Sequence, residues 1–326
     1  MPVELQTPHR GTGGPMRSKY RIFQGKAVKR NAFTGERGVR AYAPREPFND
    51  SHLDPLWCRP VAMKENPFRP LSCRECLSGA GLDFEFTMAF QPFAQAGSSQ
   101  VFGYEALVRG PNQEGAAEIL AKVNDSNRYR FDQACRVKAI QLATELGLTG
   151  VLSINFLPNA IYRPETCIRA TLEAADAMGF DKTRLMFEVT EGEHSDPAHL
   201  RGIFAEYKKQ GFRTAIDDFG AGYAGLNMLA EFQPDYIKLD MALTRNIDSD
   251  RVRQAIVSGI IATSEALGLG IIAEGIESKG EYLFLRSKGI RLFQGYFFAR
   301  PGFQSLPHIS SEARDLIERA TVPPGE

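Results

Sequence analysis

The sequence predicts an α/β protein: a TIM-like (β/α)8 barrel with one antiparallel strand near its start, preceded by an irregular segment. Three observations predict it. Eight short apolar runs each end on a polar or charged residue or carry one near the end: Thr87–Gln91, Val101–Arg109, Val151–Asn155, Leu185–Glu188, Arg213–Asp218, Tyr236–Asp240, Gly270–Glu274 and Arg291–Gln294. Helix-periodic segments separate most of them, which is the alternation of an α/β chain. The polar residues Gln91, Glu105, Asn155, Glu188, Asp217, Asp218, Lys238, Glu274 and Gln294 then gather on one rim, at the strand C-termini where such a barrel carries its active site.

The elements follow in order. The first two runs are joined by a short polar loop, Ala94–Ser99, too short for a parallel crossover, so they form an antiparallel hairpin. Phe131, Cys135, Ala139, Leu142 and Leu146 make a helical stripe that Gly147 is placed to stop. Pro164 opens the next helix, with Cys167, Ile168, Thr171, Leu172 and Ala175 on one face. Cys135 and Cys167 therefore read as core residues. Helices near 199–210 and over 251–267 precede the runs at 213 and 270, and Leu283–Lys288 is the last short helix before 291–294.

Three segments result: an irregular or disordered region over 1–80, a barrel over 81–310 and a C-terminal tail over 311–326. The hydrophobic content of 43% is ample for a core. The net charge is zero but unevenly spread: residues 1–80 carry +7 and the remainder −7. A basic arm of this kind is most simply a solvated segment. Met16 and Met63 are candidate alternative starts within it. No apolar run is long enough to span a membrane, and the N-terminus has no signal-type segment. Five cysteines, an odd number, do not make a secreted disulfide framework, so a reducing cytoplasm is the expected location.

The rim inventory is rich in carboxylates and amides, with one lysine and no His or Cys. That set suits a hard cation, Mg²⁺ or Mn²⁺. Glu105-Ala-Leu-Val-Arg109 places a carboxylate and a guanidinium on one strand face, although a plain Glu–Arg pair would explain the spacing alone. Ile216-Asp-Asp-Phe-Gly-Ala-Gly-Tyr223 is more demanding. Two adjacent Asp at a strand end repel, and a cation offsets the repulsion, as in two-metal phosphodiester chemistry. The plain alternative is a strand-end turn with a helix cap. Gly220–Gly225 also matches G-x-G-x-x-G, but two carboxylates stand where a pyrophosphate would lie, so a nicotinamide-dependent dehydrogenase is a distant alternative. Lys238 in a barrel strand needs a partner, either the attacking water or an acid such as Asp240. Phe293–Pro301 offers an aromatic cluster that either stacks on a base or packs the barrel's closure.

Glu105-Ala-Leu, Asn155, Glu188 with Glu191, Asp217-Asp218-Phe-Gly-Ala-Gly-Tyr, Lys238, Glu274-Gly-Ile-Glu277 and Gln294-Gly-Tyr together resemble the EAL-domain family, bacterial phosphodiesterases of cyclic di-GMP. The resemblance runs from about Phe84 to Pro301 with the motifs in order. It implies that Glu105, Asn155, Glu188 and Asp217 hold one metal, and Asp217, Asp218 and Glu274 a second. It implies catalytic roles for Lys238, Glu274, Glu277 and Glu105, with Lys238 beside the attacking water. It makes Gln91, Leu107, Arg109 and Gln294 substrate contacts, and gives Glu191 the task of fixing the loop after Asp218. The implied activity is metal-dependent hydrolysis of cyclic di-GMP to linear pGpG by a homodimer. The other reading is a catalytically silent cyclic di-GMP receptor or interaction module, and silent members lack ligands that are present here. Small departures from the pattern are Phe93 and the Ala224-Gly225 pair, where two serines are usual.

Nothing in the sequence points to duplex nucleic acid, and no upstream signalling partner is indicated. Cys73-Arg-Glu-Cys76, with Cys58 and His52 upstream, lacks the second pair a zinc site needs. It reads as two ordinary thiols, with redox or metal sensing the less favoured alternative.

Overall fold

The computed structural model describes residues 81–98, 100–191, 196–222 and 225–319. The readings made on residues 1–80, including the Cys73–Cys76 pair, lie outside the described residues.

Strands β1 (Thr87–Gln95) and β2 (Val101–Arg109) form the expected antiparallel hairpin, with Gln91 opposite Glu105. There follow α1 (Ala116–Leu120), α2 (Arg128–Glu145), β3 (Val151–Asn155), α3 (Pro164–Cys167), α4 (Arg169–Met178), β4 (Leu185–Thr190), α5 (Pro197–Lys209) and β5 (Arg213–Phe219). The chain continues through α6 (Gly225–Glu231), β6 (Tyr236–Leu239), α7 (Met241–Thr244), α8 (Arg251–Leu267), β7 (Gly270–Ala273), α9 (Lys279–Ser287), β8 (Leu292–Phe293), β9 (Gly302–Phe303) and α10 (Ser311–Arg319). Strands β2 to β8 pair in sequence, all parallel, and antiparallel β1 bridges β2 and β8 to close the barrel. Strand β8 is only two residues long and covers β1 at Ala94 and Gln95, so β9 pairs with β1 further along, at Ala89 and Phe90.

Local chemistry sets the helix ends. Asp250 caps α8 by accepting from the amides of Val252 and Arg253, and Ser278 with Glu281 forms a capping box on α9. Pro164 and Pro197 stand at the first positions of α3 and α5. Gly147 follows α2 at φ +69°, a left-handed position that stops the helix where the pattern predicts. The 311–326 segment includes α10, whose Ala313 and Ile317 are buried.

The period of two along each strand sorts its residues. Outward-facing Leu152, Ile154, Phe187, Val189, Ile216, Ile237 and Phe293 pack against the helices in the main core. Inward-facing Phe93, Val151, Met186, Ala215, Ile272 and Leu292 form a separate apolar cluster, one residue from each of six strands, which is the floor of the barrel interior. Inward-facing Gly103 completes that layer, because a Cβ there would collide with the Val151 carbonyl. Two residues further toward the mouth, the same faces present Gln91, Glu105, Ser153, Glu188, Asp217, Glu274 and Gln294, with Lys238 inward on β6.

Candidate active site

The polar layer closes around Lys238, whose side chain is 1% exposed. Its Nζ lies 2.7 Å from Glu188 Oε2, 2.8 Å from Glu274 Oε1, 2.9 Å from Asp217 Oδ1 and 3.5 Å from Glu105 Oε2. Asp240, the alternative acid named above, instead caps α7 through the Ala242 amide. One ammonium therefore faces four carboxylates, with Asp218 a fifth nearby. Burial opposes charge on Lys238, but Asp217, Glu105, Glu188 and Glu274 together raise its pKa well above the ordinary value. Burial also raises the acids. It pushes Glu188 up to about 8 against the pull of Lys238, pushes Asp218 up to about 6 with help from Asp217, and holds Glu274 well above the usual range.

Adjacent strand residues normally point to opposite faces, so Asp217 and Asp218 cannot both serve one site on a regular strand. The ladder between β5 and β6 shifts register between Ile216 and Phe219, and Asp218 takes φ +54°, a left-handed conformation that Asp tolerates. The irregularity brings both carboxylates to the mouth. Carboxylate oxygens of Glu105, Glu188 and Asp217 lie within 4.8 Å of one another, and so do those of Asp217, Asp218 and Glu274. Two triads of hard oxygen donors sharing Asp217 fit a pair of divalent cations, since more negative charge is gathered than Lys238 can balance.

Amides and a hydroxyl fix the orientations of these acids. Asn155 Nδ2 donates to Glu105 Oε1 at 2.8 Å, which leaves its carbonyl oxygen available to a cation. Gln294 Nε2 donates to Glu105 Oε2 at 2.8 Å and to Gln91 Oε1 at 3.2 Å, and Gln91 Nε2 donates to the Ala299 carbonyl at 3.1 Å. Ser153 Oγ donates to Glu188 Oε1. The sequence reading missed Ser153, although its position two before Asn155 on the same strand face was a usable signal.

Glu191 follows β4 and is buried. Its Oε2 accepts from the amides of Gly220 (2.7 Å) and Gly222 (3.4 Å), and its Oε1 accepts from that of Gly225 (2.7 Å). Its own amide donates to the Asp217 carbonyl at 2.9 Å. Gly220 has φ +95°, a conformation that suits glycine and turns these amides toward the carboxylate.

Three expected residues lie apart from the cluster. Leu107 and Arg109 share the inward face of β2 with Glu105, nearer the mouth and half-buried, with Arg109 Nη1 donating to the Val108 carbonyl at 2.7 Å. Glu277 is exposed and ion-paired with Arg245, whose Nη2 lies 2.8 Å from Glu277 Oε1. The pairing lowers the Glu277 pKa. In the aromatic segment Phe297 and Phe298 pack on Tyr282, so they close the core, while Tyr296 is exposed under the Arg300 guanidinium.

Comparison with known proteins agrees with this fold. Residues 77–301 match the EAL domain. The cyclic di-GMP phosphodiesterase PdeR of Escherichia coli K12 is 36% identical over 138 residues, covering 42% of this chain and 21% of PdeR. A standalone versatile EAL protein from Vibrio cholerae O395, solved in its c-di-GMP-bound form, superposes with a TM-score of 0.69 at 55% identity, covering 71% of this chain and 98% of that one. Klebsiella pneumoniae BlrP1, solved with manganese and cyclic di-GMP, gives a TM-score of 0.65 at 36% identity over 69% of this chain and 58% of its own. The chain spans from about a fifth to just over half the length of the first curated relatives it matches. No helix among the described residues is long and apolar enough to cross a membrane. The chain belongs to the EAL domain family.

Proposed function

We propose that the protein is a metal-dependent phosphodiesterase that hydrolyses cyclic di-GMP to linear pGpG, lowering the level of that messenger in bacterial signalling. The observation that carries the reading is the pair of carboxylate triads sharing Asp217 around a fully buried Lys238. Glu105, Asn155, Glu188 and Asp217 would hold one cation, and Asp217, Asp218 and Glu274 the other, each Mg²⁺ or Mn²⁺. When bound, the two cations supply Lewis acidity that makes water a better nucleophile at neutral pH and offsets phosphoryl charge. The Lys238 ammonium, pinned among the acids, orients the attacking water. Gln91, Leu107, Arg109 and Gln294 hold the dinucleotide, with the Arg109 fork suited to a phosphate. Glu277 stands near the substrate, and Glu191 holds the loop that carries Asp218. The working form is a cytoplasmic homodimer.

A silent receptor or interaction module would be favoured by a lost ligand or a lost lysine, and this chain keeps all of them. The test is incubation of the purified chain with cyclic di-GMP and Mg²⁺ or Mn²⁺, with products separated by chromatography. Linear pGpG that disappears on chelation supports the reading. Tight binding without turnover in either metal overturns it in favour of the receptor.

A further inference from the structure

Behind the site, α2 carries a second buried charge cluster. The side chains of Asp132 and Arg136 are 1% and 0% exposed, and Arg136 Nη2 lies 2.9 Å from Asp132 Oδ2. Arg136 Nη1 donates to Tyr207 Oη at 2.7 Å. The guanidinium sits over the rings of Phe187 (5.0 Å to the centroid), Tyr207 (5.6 Å) and Phe156 (5.8 Å). The other oxygen of Asp132 accepts from the Leu157 amide at 2.9 Å. These contacts end on the immediate neighbours of two expected ligands. Phe187 precedes Glu188, and Phe156 and Leu157 follow Asn155. The Phe156 amide also donates to the Glu188 carbonyl at 3.0 Å, tying the two strand ends together.

We propose that Asp132 and Arg136 are positioning residues for the cation held by Asn155 and Glu188, acting through Leu157, Phe156 and Phe187. The inference rests on the two-cation reading above. Asn155 is the last residue of β3 and its side chain is exposed, so the strand alone fixes its backbone from one side. Asp132 fixes it from the other by holding the Leu157 amide. Arg136 neutralises Asp132 and supplies the flat cation on which Phe156 and Phe187 rest. Among the described residues no hydrogen bond or ion pair runs from this cluster to Asp218 or Glu274, the two acids of the second triad besides the shared Asp217, so the effect falls mainly on one cation of the two.

The test is titration of Mn²⁺ into the metal-free full-length protein by calorimetry, with bound ion followed by electron paramagnetic resonance. The wild type is expected to take up two ions. Asp132→Asn keeps the shape but removes the charge, and it should loosen one binding event by about tenfold and leave the other within about twofold, the size seen for outer partners of metal ligands. Glu274→Gln, which alters the second triad, should weaken the other event and so identifies which is which. Tyr207→Phe keeps the ring, removes the Arg136 acceptor, and should weaken the same event as Asp132→Asn by about two- to threefold. A merely structural role lowers the melting temperature and moves both events or neither, and that result overturns the proposal. If Asp132→Asn does not fold, Tyr207→Phe decides by the same criterion. A wild type that binds no Mn²⁺ overturns the two-cation reading itself, an outcome distinct from two intact events in Asp132→Asn.

Discussion

Two buried charge clusters lie close together in this barrel and are built on opposite plans. Arg136 faces one carboxylate, Asp132, and is enclosed by three aromatic rings. Lys238 faces four carboxylates, with Asp218 a fifth beside them. The first cluster is balanced in charge and holds its neighbours in place. The second gathers more carboxylates than its one ammonium can pair, and burial, with neighbouring acids adding to it, raises the pKa values of Glu188, Asp218 and Glu274. On the proposed reading, balance separates a charge cluster kept for shape from one kept for cations.

The largest effect expected from the unbalanced cluster is on turnover. Glu105→Ala removes a member of the first triad and the acceptor of both Asn155 and Gln294. Hydrolysis should fall by about a thousandfold or more, beyond the range of outer partners. The metal-free variant should melt no lower than the wild type, because one of several mutually repelling acids is gone. Full activity in Mg²⁺ or Mn²⁺ would break the comparison at its root. Ca²⁺ should support binding of cyclic di-GMP better than its turnover, because its larger, looser shell positions reactants poorly.

The balanced cluster should behave in the opposite way. Asp132→Ala leaves the Arg136 guanidinium buried without its partner and should destabilise the fold by about 3–5 kcal/mol in denaturant unfolding. Replacing both residues together, Asp132→Leu with Arg136→Met, should recover most of that loss, since an apolar pair of similar volume fills the same space. A double variant as unstable as the single one would mean that the aromatic contacts of Arg136, and not charge balance, hold this region.

Titration gives the next smaller contrast. Glu188 is held up to about 8 and Asp218 to about 6, against ordinary values of 4.5 and 3.8. Between those limits the metal-free native state holds protons that the unfolded chain has released. The native state therefore binds more protons, and stability falls as pH rises from about 4 through 8, where the native groups ionise. Metal-free protein should melt at a lower temperature at pH 8 than at pH 6. Cation uptake requires the ionised acids, so Mg²⁺ or Mn²⁺ affinity should rise over the same range and binding should release protons, measurable by calorimetry in buffers of different ionisation heat. A melting temperature that rises with pH in chelator would contradict the raised pKa values.

Most of the barrel and nearly all of its acidic rim were legible in the sequence, because both follow from a period of two. Each strand alternates outward apolar residues with inward ones, and the inward series runs from floor to rim, as in Met186 to Glu188 and Ala215 to Asp217. What escaped follows other rules. Asp217 and Asp218 were expected on one rim, but the register shift and the left-handed residue that bring them together escaped, because no alternation encodes them. Strand β9 exists because β8 is too short to cover β1, a property of closure and not of the 302–303 segment. Asp132 and Arg136 border the apolar stripe of Phe131, Cys135 and Ala139, and their charge, unlike their helical position, gives a sequence reading no reason to bury them. Their burial comes from β4 and α5, which supply Phe187 and Tyr207 from far along the chain.

Glu191 lies between the two plans, since it is a single buried acid satisfied by backbone amides rather than by a cation. Glu191→Gln keeps one acceptor oxygen and loses the charge, so the amides of Gly220 and Gly225 can no longer both be served at full strength. Turnover should drop by about tenfold, with faster amide exchange in 218–222 and no loss of overall melting temperature. If exchange in the loop is unchanged while activity falls, Glu191 contributes to the chemistry directly and the holding role is wrong.

The smallest effect is expected from the removal of residues 1–80. All residues of both charge clusters lie beyond that point, the EAL match starts at residue 77, and a standalone EAL protein from Vibrio cholerae is covered over 98% of its length by 71% of this chain. Among the described contacts, the start of the barrel is met by Arg130, whose Nη1 donates to the Gly81 carbonyl at 3.4 Å, a weak bond on the surface. A chain beginning at Gly81 should therefore keep its turnover within about twofold, a loss no larger than a surface contact accounts for. Loss of hydrolysis with the barrel still folded would show that the segment reaches the site. Activity of the full chain with and without a reductant would then ask whether Cys73 and Cys76 are the reason. A reductant effect in the full chain that vanishes in the shortened one would assign them a switch, and equal rates would leave the barrel's own acids as the whole of the machinery.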